Sequence, residues 1–163
     1  MTSIPPHFRR NGLLLSAGLG VLVVLATLPP FVSEAAAEAL MAAFAPVCHQ
    51  LPGRSPHIDG TALAVCHRCY GAYLGLLGGS LVFLLSRGNA LPSLKPLLIL
   101  VVAAVPGVID WSGDVVGLWT NAPISRMITG GWFGLLAGML LASAVLMPPA
   151  GSPSQSRPNP HEG

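Results

Sequence analysis

Four long apolar stretches, set apart by short polar segments, organise the chain. The first runs from Gly12 to about Val32 without a charge and meets Pro29-Pro30 near its end. The second covers about Tyr70 to Leu85, the third about Leu94 to Ile109 and the fourth about Met127 to Met147. Each approaches the roughly 17–25 residues that a bilayer crossing needs. The pattern therefore predicts an all-α fold, an integral membrane bundle of about four transmembrane helices, with spans at 12–32, 70–85, 94–109 and 127–147 inside a single domain of residues 1–147. The second and third reach full length only if their polar ends sit at the interface.

The segment 33–45 has a different pattern. Ser33 can cap a helix whose first turn holds Glu34. Leu40, Met41 and Phe44 then fall on one side, with Glu34 and Glu38 on another, which suits a short helix lying in the interface. Pro46 ends it and opens a Cys/His-bearing loop, 46–69. Residues 148–163 are rich in Pro, Ser and Gly, have nothing to bury, and are expected to be a disordered tail.

Composition agrees with the pattern. The chain is 52% hydrophobic and 9% charged, whereas a soluble domain carries about 25% charged residues. The expected partner is thus a lipid bilayer. A net charge of +2 with no basic stripe and no interleaved aromatics excludes nucleic acid. With the N-terminus inside, the inner segments hold Arg9, Arg10, Arg87, Lys95 and Arg157 and the outer ones Arg54, Arg68 and Arg126. The positive-inside bias then predicts a multi-pass cell-membrane protein with both termini cytoplasmic and the 46–69 loop extracytoplasmic. A cleaved signal peptide is the alternative for the first span: Arg9-Arg10, an apolar core from Leu13, then small residues at Ala35 to Ala37.

Two glycine ladders lie in the spans: Gly71, Gly75 and Gly79 in the second, and Gly130, Gly134 and Gly138 in the fourth. In lipid, small residues at four-residue steps let two helix backbones approach closely. These two helices are expected to cross with their glycine faces in contact.

The chemistry concentrates in CHQLPGRSPHIDGTALAVCHRCYGAY, residues 48–73, which holds all three cysteines and three of the five histidines. Cys66 and Cys69 form a C-x-x-C at the head of the second span, where a helix N-terminus lowers a thiol's pKa. Cys48, His49, Cys66 and Cys69 together make a three-sulfur, one-nitrogen set that suits zinc, or copper in a thiolate-rich site. His57 and His67 are alternative nitrogens. The same spacing serves a redox dithiol, or a plain Cys66–Cys69 or Cys48–Cys66 bridge with one thiol left over. Arg54 and Arg68 flank the cysteines. A second polar cluster joins the third and fourth spans: Asp110, Asn121 and Arg126, with Arg126 the expected partner of Asp110, since a carboxylate at the end of an apolar run is expensive unless paired.

Cys48-His49-Gln50, Arg54-Ser55 and Cys66-x-Arg68-Cys69-x-Gly71-x-Tyr73-x-Gly75 resemble the signature of domain of unknown function 2085, a family of small membrane proteins. The likeness continues through Asp110, Thr120-Asn121, Arg126 and Thr129-Gly130 and covers about residues 40 to 140. It implies a multi-spanning prokaryotic membrane protein whose marked residues are these. It also leads one to expect a glutamine shortly after Asp110, where this chain has Asp114.

Three functions compete: a membrane protein with a zinc-like metal site at the outer face; a thiol–disulfide oxidoreductase using Cys66 and Cys69, with Cys48 as an exchange partner and quinone or no cofactor; and a non-catalytic structural or transport subunit, for which four short spans would form a pathway only as a homo-oligomer.

Overall fold

The computed structural model describes residues 7–87 and 95–146. The tail at 148–163 lies outside them. Among the described residues, four helices are long and apolar enough to cross a membrane: α1 (Phe8–Thr27), α3 (His67–Leu85), α4 (Pro96–Val115) and α5 (Pro123–Leu146). A shorter α2 (Glu34–Phe44) follows α1. At 1.5 Å per residue, the 19 to 24 residues of the long helices match the about 30 Å hydrocarbon core.

The stops are written in local chemistry. Pro29 and Pro30 form a 3-10 turn after α1, because proline has no amide to continue the ladder. The third apolar stretch does not end at Ile109. The helix continues to Val115 and is closed by Gly117, whose φ is 75°. Leu118 N–H donates to Gly113 O (2.9 Å) and Gly117 N–H to Asp114 O (3.3 Å), the paired bonds of a Schellman stop. Asp110 is therefore inside a helix, not at its end. The fourth helix starts at Pro123, four residues before the apolar run, since proline fits a first helical turn.

The 46–69 segment is more ordered than a plain loop. Pro52–Arg54 makes a 3-10 turn, and β1 (His57–Ile58) pairs antiparallel with β2 (Thr61–Ala62), Ile58 opposite Thr61. Asp59 and Gly60 connect them with φ of 49° and 81°. Two left-handed residues define the turn that matches strand twist, and Asp-Gly is its favoured sequence.

α3 and α5 are the central pair. A Cβ added at Gly71, Gly75 or Gly79 would land on the carbonyl of Met127, Gly131 or Leu135, and one at Gly130, Gly134 or Gly138 on that of Arg68, Ala72 or Leu76. Backbone thus lies on backbone along the whole crossing. α1 rests on α3 and α5, and α4 on α5. Between α1 and α3, buried Ser16 and Ser80 exchange a hydrogen bond (3.1 Å), and Thr27 meets the Tyr70 hydroxyl (3.1 Å).

The core has two centres. Phe8, Phe83, Met139, Ala142 and Leu146 close one end of the bundle. Ala26, Phe44, Cys48, Ala64 and Val65 close the other, backed by Tyr70 and Tyr73. The cysteines belong to the second.

Candidate metal centre

Two segments deliver the three thiols: the loop after α2 and the start of α3. Cys48 follows the end of α2, where Cys48 N–H donates to Phe44 O (3.0 Å). Cys66 is the N-cap of α3, with extended backbone. Cys69 stands in the first turn of α3, one turn after Cys66 on the same face. Their sulfurs all lie within 4.8 Å of one another, and all three thiols are free. Two sulfurs bound at about 2.3 Å to one tetrahedral ion lie roughly 3.8 Å apart. The cluster is thus compact enough for one ion to reach all three sulfurs, and none of them is joined in a disulfide.

The surroundings of Cys66 favour its thiolate. Cys66 N–H donates to Cys48 Sγ (3.1 Å). The Cys66 thiol is brought down to about 5, chiefly by the hydrogen bond from the Cys69 thiol, against an opposing push from burial; backbone amides of Cys69 and Arg68 and the Cys48 thiol add to the lowering. At neutral pH such a sulfur is the anion that ligates a metal or attacks a disulfide.

The histidines divide. His49 is exposed and lines, with Cys48, Gln50, Arg54, Cys66 and Cys69, a recess of about 320 Å³ beside the thiols. Its ring nitrogens are not in the group that converges within 4.8 Å, which comprises the cysteines alone among the described residues. His67 Nδ1 lies 2.6 Å from Arg54 O. A carbonyl only accepts, so Nδ1 carries the proton there and Nε2 is left as a lone-pair donor. His57 Nδ1 sits 2.9 Å from Ser55 O on the hairpin.

Gln50 has a role that its presence in the motif does not reveal. Its φ is 47°, and its Nε2 donates to Met41 O (2.7 Å) and Ala64 O (2.8 Å). One amide thereby ties the Cys48 loop to α2 and to the segment entering α3. Ala64 N–H in turn donates to Ala26 O (3.0 Å). Gln50→Ala will leave the Ala64 carbonyl unpaired, while Met41 O keeps its bond from Ala45 N–H (3.0 Å); the expected loss is about 1–3 kcal/mol, to be read as a lower thermal midpoint in detergent.

The second polar cluster is wired differently from the sequence expectation. Asp110 pairs with Arg68, Nη2 to Oδ2 at 2.8 Å, and not with Arg126. Helix α4, continuing past Ile109, turns Asp110 toward the start of α3. Arg68 is thus fixed one residue from Cys69. Asn121 is buried and binds both helix ends: its N–H donates to Asp114 Oδ1 (3.0 Å), its Nδ2 to Asp110 O (3.2 Å), and its Oδ1 accepts from Ser125 Oγ (3.0 Å). Asp114, standing where a glutamine was expected, supplies the acceptor. Arg54 and Arg126 have no carboxylate within 4.0 Å among the described residues.

Apolar crossing helices capped at one end by a cluster of three thiols define a multi-pass membrane protein. The family model described as "Predicted membrane protein (DUF2085)" matches residues 48–140. That is more than half of the chain, and the chain belongs to this family. It is 33% identical over 91 residues to an uncharacterized protein of Methanocaldococcus jannaschii, a match that covers 56% of this chain and 58% of that protein. The chain thus aligns with little more than half the length of that relative. No solved structure matches. The matched region begins at Cys48, so it holds every cysteine and the Arg68–Asp110 pair but neither α1 nor α2.

Proposed function

We propose that the protein is a membrane metal-site protein in which Cys48, Cys66 and Cys69 hold a zinc-like ion, with His49 from the adjoining recess as fourth ligand. The observation that carries this reading is the convergence of three free sulfurs within 4.8 Å from two separate segments, the loop after α2 and the start of α3. Three thiolates and an imidazole are a recurrent closed zinc set. Bound there, the ion would clamp the loop after α2 to the start of α3. The Gln50 and Cys66 amide contacts orient the ligands from outside, as outer-shell bonds do at metal sites. With both termini cytoplasmic, the site faces the extracytoplasmic side. The four apolar helices hold it at the bilayer surface.

Elemental analysis of detergent-purified protein tests this. About one zinc per chain is expected, given the single four-ligand set. Cys48→Ser and Cys66→Ser should each weaken zinc affinity by more than the about 10–100-fold assigned to an outer-shell partner. Folded wild-type protein that carries no metal and gains none from added zinc would sink the reading.

A second reading, thiol–disulfide exchange, is favoured by the low Cys66 pKa at a helix start. Cys66 thiolate would attack a partner disulfide, Cys69 would release the mixed disulfide, and the two electrons and two protons of the dithiol would pass to the partner's thiols. Thiol trapping in intact cells separates the readings, because a metal-bound pair stays reduced.

A further inference from the structure

Beyond the thiols, two cavities share one wall. The smaller, about 140 Å³, is lined by Arg54, Arg68 and Arg126 together with Trp111, Asp114 and Cys69. The larger, about 340 Å³, shares Arg68, Cys69 and Trp111 and is otherwise mostly apolar, with Ala104, Val108 and Phe133 in its walls between α3, α4 and α5. A polar chamber with three guanidiniums therefore adjoins an apolar one at membrane depth.

The charges are not balanced from within. Arg68 is taken by Asp110, yet its Nε is buried without a hydrogen-bond partner. Arg126 is half-buried and meets no carboxylate among the described residues. An ionisable group at the end of an apolar helix normally has a counter-charge. Guanidiniums match the oxygens of phosphate in fork geometry. The volume of the larger chamber is at the low end of the about 300–1,000 Å³ of ligand sites.

We propose that the paired cavities bind a single-chain anionic lipid, its phosphate among Arg54, Arg68 and Arg126 and its hydrocarbon chain in the chamber between α3, α4 and α5. The joint supplied by Arg68, Cys69 and Trp111 sets head and chain side by side, and the phosphate then lies next to Cys66 and Cys69. Nothing in this requires a metal at the cysteines.

Native mass spectrometry of the full chain in detergent, titrated with oleoyl lysophosphatidate, tests the assignment. Monooleoylglycerol and inorganic phosphate serve as the chain-only and head-only probes. One lysophosphatidate per chain is expected, bound at least about tenfold more tightly than either probe, since each fills only one chamber. Arg126→Gln and the exposed Arg54→Gln should each weaken it about tenfold while Ala104→Phe, which fills the apolar chamber, weakens lysophosphatidate but not phosphate. Gly18→Leu, on α1 with open space around the new side chain and away from both cavities, should leave binding unchanged. Equal binding of monooleoylglycerol would overturn the anionic head site, and equal binding of inorganic phosphate would overturn the chain site. Arg54→Gln protein that elutes as wild type and binds lysophosphatidate undiminished would overturn the proposal as well.

Discussion

Gly75→Leu will prevent the bundle from folding. A Cβ at Gly75 would meet the Gly131 carbonyl and the backbone at Gly134 and Leu135. These are main-chain atoms of α5, so no rotamer change relieves the clash, and the two helices must separate. Separation also breaks the contacts at Gly71 and Gly79, because one rigid crossing carries all of them. Overpacking a core that can adjust costs typically about 1–3 kcal/mol; here the whole interface is lost, which exceeds the about 4–5 kcal/mol that marks exceptional substitutions. Against a total stability of about 5–15 kcal/mol, folded protein should be scarce. The control is Gly18→Leu in α1, where nothing lies within 4 Å of the new Cβ. Size-exclusion chromatography in mild detergent should show a sharp peak for Gly18→Leu and aggregate for Gly75→Leu. A sharp peak for both would show that the crossing does not hold the bundle.

The same close approach explains what could and could not be read from the sequence. Crossing helices announce themselves by length and apolarity, and the glycine spacing is visible because a helix repeats its face every three to four residues. Helix ends are less visible. The stop at Gly117 lies beyond the apolar run of the third span, so the run alone ends the helix too early and misplaces Asp110. The partner of Asp110 was equally hidden. Charge pairing between neighbours in sequence favours Arg126, but the choice depends on how α4 is turned against α3, which no local pattern encodes. In the cysteine segment, Asp59-Gly60 is a hairpin signal legible in the sequence, set among the ligand-like residues. The gathering of Cys48 with Cys66 and Cys69 depends on Gln50 pinning the loop to two distant carbonyls. His49 belongs to the motif but has its ring outside the sulfur cluster, a matter of one side-chain direction.

Asp110→Ala should be the second most damaging change, and the manner of the damage tells what the pair is for. Asp110 keeps 12% of its side-chain surface exposed and Arg68 33%. Removing the carboxylate strands a guanidinium whose Nε already lacks a partner. Breaking a buried pair costs about 3–5 kcal/mol, and the lower end applies because Arg68 retains a third of its surface. Arg68 is adjacent to Cys69 in the first turn of α3, so its displacement also disturbs the thiol cluster. The double variant Arg68→Met/Asp110→Leu removes both charges at similar volume and should recover most of the lost stability, since an apolar pair in such a place is often neutral or better. A double-mutant cycle on thermal midpoints then measures the coupling. If the double variant is stable yet loses its metal, the pair serves the site. If it is stable and keeps the metal, the pair serves only to join α3 and α4. If Asp110→Ala alone is silent, the guanidinium has found another anion, and the lipid phosphate proposed between Arg54, Arg68 and Arg126 is the candidate to look for in the same sample.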